Sequence, residues 1–197
     1  MVKSVNKGLP GSENNSKQAD YLMLRKEVDF HCEKLAESHY EHLKCAPGCH
    51  KCCMDFSIFP VEFFSIMKEN ENKQVNIRKI ADEGECWFLT KGLCSIYESR
   101  PLICRTHGLP LMSMGEDDWE LSYCELNFTS GKIPDFGESN TFPQDLYNSK
   151  LYLINREFVK SVEDKRYSET DLLSLKELAI QLAGPQDRNT AQPARPA

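Results

Sequence analysis

The sequence lacks a long apolar run. Nowhere in its 197 residues does an uninterrupted hydrophobic stretch approach the roughly 20 residues that a membrane-spanning helix needs. The first twenty residues, Met1 to Asp20, are polar and rich in Asn, Ser and Lys, unlike a secretory signal. These absences predict a soluble, cytoplasmic protein with no membrane partner.

An excess of positive charge is also missing. The chain has 24 Lys and Arg against 30 Asp and Glu, a net charge of −6, and acidic residues recur over 69–85 and 116–125. A nucleic-acid groove needs a basic stripe, so we expect no nucleic-acid partner. No glycine-rich loop follows a predicted strand to hold a nucleotide or S-adenosylmethionine, which weighs against an enzyme that uses either.

What the chain does have is cysteine. It contains nine, and eight of them lie between Cys45 and Cys124. Clustered thiols form disulfides, hold a soft metal or exchange electrons. In a reducing compartment metal binding and catalysis are commoner than disulfides, and an odd total leaves at least one thiol unpaired. The candidate metal ligands are Cys45, Cys49, Cys52, Cys53, Cys86, Cys94, Cys104 and Cys124.

The densest part of this cluster follows a predicted turn at 46–48. Its Pro and Gly end the preceding helix and let the chain fold back. The Cys49-x-x-Cys52 spacing then allows two sulfurs to reach one metal at about 2.3 Å. Neighbouring side chains diverge, so Cys53 either faces a second centre or packs as a hydrophobe. Two four-thiolate sites, and one site with spare thiols, both remain open.

A β-hairpin is predicted from 86–89 and 93–97, with its turn within 90–92. Because side chains alternate faces along a strand, the turn length decides whether Cys86 and Cys94 share a face. A three-residue turn puts them on the same face, where both can bind one centre, whereas a two-residue turn separates them. If they share a centre, we expect the three-residue turn.

Cys104 falls in a short helix that Pro101 can start and Gly108 can end. Thiolate sites carry net negative charge, and nearby cations offset it and keep the thiols deprotonated. Without ligating the metal themselves, three side chains are candidates for this role: Lys51, Arg100 and Arg105.

Helical periodicity predicts the remaining elements. Asp20 to about Lys44 forms an amphipathic helix, in which Cys32 lies on the apolar stripe as a buried, inert thiol. The histidines of this helix, His31, His39 and His42, are expected to be solvated. Further helices are predicted over 59–67, where Glu62 favours the helix dipole, over 75–81, over 144–162, and over 170–182 after a capping-box-like Ser168-x-x-Asp171.

Together these elements predict an α+β fold that is mostly helical. We expect a small cysteine-rich, metal-centred core with a short β-hairpin, wrapped by helices. Residues 1–19 are predicted to be a disordered arm, 20–183 a single domain and 184–197 a disordered tail. Within the domain, the metal-binding core spans 45–124 and the C-terminal helices span 144–183.

The cysteine blocks resemble the YkgJ-type cysteine-cluster family. The resemblance is carried by Cys45-Ala-Pro-Gly-Cys49-x-x-Cys52-Cys53, by Cys86-Trp-Phe-Leu, and by the string from Gly92 to Arg105, Gly-Leu-Cys-Ser-Ile-Tyr-Glu-Ser-Arg-Pro-Leu-Ile-Cys-Arg. That family is described as zinc- or iron-chelating, and flagellin lysine methylases are related to it. The resemblance implies metal ligation by seven cysteines, Cys45 through Cys104, with Cys124 a weaker addition.

The leading functional prediction is a protein that holds zinc or an iron–sulfur cluster through these cysteines, since both accept four thiolates. Two alternatives remain. One is a cluster-dependent modification enzyme related to the flagellin methylases, because Cys45-x3-Cys49-x2-Cys52 locally matches the spacing of radical S-adenosylmethionine enzymes. The other is a thiol redox sensor or metal buffer. The metal ion is the only partner the sequence identifies.

Overall fold

A computed structural model describes residues 12–78, 84–162 and 165–183 of the chain. The predicted disordered tail, 184–197, and the first part of the predicted arm lie outside these ranges. The described residues form five α-helices: α1 (Ser12–Ser38), α2 (Pro60–Asn70), α3 (Leu102–Thr106), α4 (Gln144–Ser161) and α5 (Leu175–Leu182).

Seven short strands make three small sheets in the described ranges. The strands are β1 (Ser57–Ile58), β2 (Leu89–Thr90), β3 (Leu93–Cys94), β4 (Leu111–Met114), β5 (Trp119–Ser122), β6 (Phe142–Pro143) and β7 (Leu173–Ser174). β1 pairs with β7, β2 pairs with β3, and the third sheet has the order β5-β4-β6. Helices with small sheets confirm the predicted α+β class; a core centred on metal stays a prediction.

The first helix is longer at its start than its periodicity predicts. It begins at Ser12 instead of Asp20, so residues 12–19, assigned to the disordered arm, are helical. No proline or glycine interrupts 12–46. The predicted end near Lys44 is wrong, because the helix stops at Ser38, before the Pro and Gly of 46–48. The Ser38 hydroxyl donates a hydrogen bond to the Leu35 carbonyl (3.1 Å).

The predicted helices at 59–67 and 144–162 are confirmed as α2 and α4, and the Pro101 start of α3 is confirmed as well. The helix predicted over 75–81 is wrong for 75–78, which are irregular, and 79–83 lie outside the described residues.

The last helix begins five residues later than predicted. Ser168 and Asp171 do form reciprocal hydrogen bonds, but these close a turn instead of starting a helix. β7 follows, and α5 then begins with Ser174 as its N-cap, accepting a hydrogen bond from Glu177 N (3.1 Å). Strand pairing with β1 therefore overrides the local capping signal.

Two hydrophobic clusters hold the fold. The first lies mainly between α1 and α4, with Tyr21, Val28 and Phe158 fully buried. The second lies between α2 and α5 and includes Phe63, Phe88 and Leu178. Cys86 belongs to the second cluster, and both Cys53 and Cys94 pack against it.

Candidate metal centre

Three cysteines contact the second hydrophobic cluster, Cys86 as a member and Cys53 and Cys94 packed against it, and Cys104 adjoins Ile103, which packs there too. An antiparallel bridge between Met54 and Glu85 places Cys53 directly opposite Cys86, and Cys86 N donates to Cys53 O (3.4 Å). Directly opposed residues of an antiparallel pair project to the same face, with Cβ atoms about 5 Å apart. We call Cys53, Cys86, Cys94 and Cys104 the inner cysteines.

The hairpin brings Cys94 to this group, although the predicted turn is wrong. Leu89 pairs with Cys94 across a two-residue turn at Lys91-Gly92, and both turn residues have positive φ, as a type I′ turn requires. Strand alternation would then separate Cys86 from Cys94. The strand does not reach Cys86, however, because Leu89 N donates to Cys86 O (3.2 Å) and closes a turn.

Electrostatics confirm that the inner thiols are neighbours. Burial, followed by the charges of Cys86 and Cys94, raises the pKa of Cys104. Burial also raises the pKa of Cys86, and the charge of Cys94 adds to it. The pKa of Cys53 is raised by its hydrogen bond with Cys52, by burial and then by thiolate charges that include Cys86 and Cys94. The raised pKa values keep these thiols protonated near neutral pH, and a bound cation would favour their thiolate form.

The other four cysteines, Cys45, Cys49, Cys52 and Cys124, are the outer cysteines. None of them belongs to either hydrophobic cluster, and Cys45 and Cys49 are exposed. Burial raises the pKa of Cys45, as do the charges of the other three outer thiols, so these four also share one electrostatic neighbourhood.

Asn127 organises the outer side and is 1 % exposed. Its amide nitrogen donates to Gly108 O (2.6 Å) and to Cys45 Sγ (3.6 Å), and its oxygen accepts from Lys44 N (2.7 Å). Its backbone N donates to Cys124 O (2.9 Å). One buried residue, through its side chain at Cys45 and its backbone N at Cys124, therefore contacts both ends of the outer group, 79 residues apart in sequence.

Gly108 makes space for the outer thiols. It has φ +96°, and a Cβ built there would lie 2.7 Å from Cys45 Sγ. A residue with a side chain would thus push the sulfur away. Neither Asn127 nor this role of Gly108 could be found from the sequence, where a lone asparagine in a loop carries no signal and Gly108 is only a helix terminator.

Cys52 is the link between the two groups. Hydrogen bonding from the Cys53 thiol lowers the pKa of Cys52 to about 6, the charges of His107 and His50 contribute in the same direction, and burial opposes them. Cys52 is therefore a thiolate near neutral pH, which is the form that binds metal and reacts with oxidants.

The donor chemistry fits zinc or iron, although the sulfurs are not yet at ligating distances. Within the described ranges, no three His, Cys, Asp or Glu side chains are close enough to hold an ion as they stand. All nine cysteines are free thiols. The opposed pair Cys53 and Cys86, and the space that Gly108 leaves for Cys45, show that sulfur is accommodated on both sides. Ligation requires side-chain rotation toward the ion.

The three predicted cations occupy different environments. The Lys51 ammonium lies 3.3 Å from the Glu125 carboxylate. In the sequence Lys51 precedes Cys52, and Glu125 follows Cys124. Arg100 lowers the pKa of Cys104 and Cys94 against the larger effect of burial, so it neighbours the inner group.

Arg105 faces away from the site toward α1. It binds Asp29 (2.5 Å) and the carbonyls of Arg100 and Glu98. Its guanidinium therefore joins α3 to α1, and any effect on the thiolates stays a prediction.

The histidines depart from the solvated state predicted for them. His39 is 3 % exposed and its Nε2 lies 2.8 Å from Asn140 O, while His42 stacks on Phe128. His107 lies beyond α1, where its Nδ1 is 2.5 Å from Ile103 O and its charge acts on Cys52. Cys32 agrees better with its prediction as a buried, inert thiol. It packs against the first cluster, and burial raises its pKa to about 12.

Glu62 is a fully buried carboxylate between α2 and α3. It accepts hydrogen bonds from Leu102 N (2.9 Å) and from the Tyr21 hydroxyl (3.4 Å). Burial raises its pKa to about 7, against the opposing effect of these hydrogen bonds. The sequence predicts only that Glu62 favours the dipole of its own helix, α2. In the structure it also caps the start of α3, the helix that carries Cys104.

Residues 44–125 match a family model described as "CxxCxxCC: Putative zinc- or iron-chelating domain". The resemblance seen in the sequence is thereby confirmed for this segment, which contains every inner and outer cysteine. The match supports metal binding in general, with zinc or iron as the metal. Neither a curated protein nor a solved structure matches the chain. No helix in the described part of the chain has the length and apolarity to cross a membrane.

Proposed function

We propose that this chain is a metalloprotein whose clustered cysteines bind zinc or an iron–sulfur cluster. The observation that carries the proposal is the gathering of thiols from separate segments. Backbone pairing sets Cys53 opposite Cys86, and the charges of Cys86 and Cys94 act on Cys104. Asn127 contacts both the Cys45 sulfur and the Cys124 carbonyl. Burial raises the pKa values of Cys45 and Cys104, the charges of neighbouring thiolates add to that rise, and a bound cation would offset those charges.

Metal binding would supply stability that this region does not obtain from regular structure. The one long helix described in residues 44–125, α2, carries no cysteine, and the cysteines lie on turns and irregular segments, on β3 (two residues) or on α3 (five residues). Joining such segments through one ion couples metal binding to folding, as it does in small cysteine-rich modules. Asn127 and the backbone around Cys86 would orient the sulfurs.

Elemental analysis for zinc, iron and acid-labile sulfide tests the proposal, on full-length protein purified without oxygen. Zinc without sulfide identifies thiolate-bound zinc, and iron with matching sulfide identifies a cluster. The Cys32→Ser variant is a matched control, because Cys32 lies on α1 outside both groups and should leave the metal content unchanged. Metal-free protein that resists reconstitution with either metal would refute the proposal.

A second candidate function is a thiol redox sensor or metal buffer, favoured by the lowered pKa of Cys52. Oxidation of this thiolate by peroxide would remove one ligand and release metal. Release at low peroxide, reversed by a thiol reductant and slowed by Cys52→Ser, supports it. Release that occurs only on unfolding assigns a structural role to the metal.

A further inference from the structure

We propose that the eight clustered cysteines form two adjacent four-thiolate sites, an inner one from Cys53, Cys86, Cys94 and Cys104 and an outer one from Cys45, Cys49, Cys52 and Cys124. Each site takes a thiophilic cation such as zinc or ferrous iron. The inference rests on the proposed function and adds the number of centres and the assignment of each ligand.

The first step is the backbone pairing at Cys53. The Met54–Glu85 bridge sets Cys53 opposite Cys86, and Asp55 N donates to Gly84 O (2.9 Å) on the other side of the bridge. Cys52 lies outside this pairing, in a turn that Cys53 N closes by donating to His50 O (2.9 Å). The two adjacent cysteines thus belong to different local structures.

The second step is the environment of each group. Cys53, Cys86 and Cys94 contact the hydrophobic cluster between α2 and α5, and Ile103, next to Cys104, packs against the same cluster. The outer cysteines contact neither hydrophobic cluster. Polar contacts are found there instead: Asn127 donates to Cys45 Sγ, the charge of His50 acts on Cys52, and Lys51 pairs with Glu125, the sequence neighbour of Cys124.

The third step is the count of donors. A tetrahedral thiolate site takes four cysteines, and each group supplies four. Cys52 and Cys53 are hydrogen-bonded neighbours, so the two sites meet at this dipeptide without sharing a ligand. In this arrangement both cysteines of the adjacent pair are ligands, each to its own ion. A single mononuclear site would leave one of them without metal.

Cobalt(II) substitution of the full-length chain provides the test, with Co²⁺ as the probe and metal per chain as the readout. Wild type should bind two Co²⁺, and Cys86→Ser and Cys49→Ser should each bind one. Cys49→Ser/Cys124→Ser should also bind one, because both residues serve the outer site. Cys49→Ser/Cys94→Ser should bind none, and Cys32→Ser should bind two.

The pair of double variants keeps the test valid if Cys86→Ser fails to fold, since the outer variants alter exposed or half-buried positions. Wild type that binds a single Co²⁺, or a Cys49→Ser protein that loses all of it, would overturn the two-site assignment while leaving metal binding intact. Wild type that binds neither Co²⁺ nor Zn²⁺, and that takes up no iron on reconstitution with iron and sulfide, would refute the proposed function itself.

Electron paramagnetic resonance of the doubly loaded protein tests ligand sharing. Two separate high-spin Co²⁺ ions should give a spin count of two per chain. A signal that weakens as the second equivalent binds would indicate a bridging thiolate, and would overturn the assignment of Cys52 and Cys53 to separate sites.

Discussion

The inner and outer cysteines have the same number of thiols but different surroundings. Three of the inner cysteines contact a hydrophobic cluster, and strand pairing sets Cys53 opposite Cys86. The outer group lies on turns and is positioned by one buried asparagine. The fold therefore divides one cysteine-rich motif into an inner group that packs in the interior and contributes to stability, and an outer group that lies nearer to solvent.

Loss of an inner ligand should have the largest effect. Cys86 is 8 % exposed and lies among Phe88, Ile66 and Leu178 in the second cluster. We expect Cys86→Ser to lower the free energy of unfolding of the metal-loaded protein by about 5 kcal/mol or more, since metal and packing are lost together. Cys49→Ser should lower it by about half as much. Denaturant titration checks both, and equal losses would erase the distinction between the groups.

Glu62, which caps the helix that carries Cys104, should make the free energy of unfolding depend on pH. Its folded-state pKa of about 7 exceeds the ordinary value of 4.5, so the folded protein binds a proton more tightly than the unfolded chain. The stability difference between wild type and Glu62→Gln should therefore fall as the pH rises from 5 to 8, by about 3 kcal/mol in all.

The comparison of these two proteins removes the pH dependence of metal binding except for the part that Glu62 contributes through its charge, which raises the pKa of Cys104. Glutamine retains a carbonyl oxygen that can accept from Leu102 N. Parallel stability curves from pH 5 to pH 8 would show that Glu62 keeps its ordinary pKa.

Two buried asparagines allow a variant that loses only stability to be compared with one that also loses metal affinity. Asn155 is fully buried and joins α4 to the start of α2 through Val61 N (3.2 Å), far from either cysteine group. Asn155→Ala should cost about 2 kcal/mol of stability and leave metal content unchanged. Asn127→Ala should cost a similar amount and also weaken metal binding at the outer site, as measured by chelator competition. Equal metal affinity in both variants would contradict the role given to Asn127.

The smallest effect is expected at Lys51. Its ion pair with Glu125 is exposed, with 63 % and 79 % of the two side chains accessible. Lys51→Ala should change the free energy of unfolding by less than about 0.5 kcal/mol. Thermal melts at low and high salt check this, and a larger loss that salt abolishes would show that Lys51 offsets thiolate charge.

The sequence alone predicts the parts of this molecule that depend on local chemistry. Helix α3 follows from Pro101 and Gly108, and the apolar stripe of α1 from its period. The hairpin turn was missed because positive φ at both Lys91 and Gly92 selects the shorter loop. The preference of Gly92 for positive φ is satisfied in both the two-residue and the three-residue turn, so it does not distinguish them.

Long-range pairing explains the remaining errors. The start of α5 depends on β7 pairing with β1, and the partition of the cysteines depends on the Met54–Glu85 bridge. Neither leaves a signature in a short window of sequence. Asn127 was missed for the same reason, because its function exists only where Lys44, Gly108 and Cys45 meet.

The β1–β7 pairing sets the order in which the protein can be completed during synthesis. Lys176 N donates to Asp55 Oδ1 across 121 residues, and Leu175 N donates to Phe56 O, two and three positions beyond Cys53. The segment that carries the inner thiols therefore gains its final support only when residues 173–176 have left the ribosome. Before then every cysteine has already emerged, so the nascent chain presents its thiols to metal before the fold that arranges them is closed.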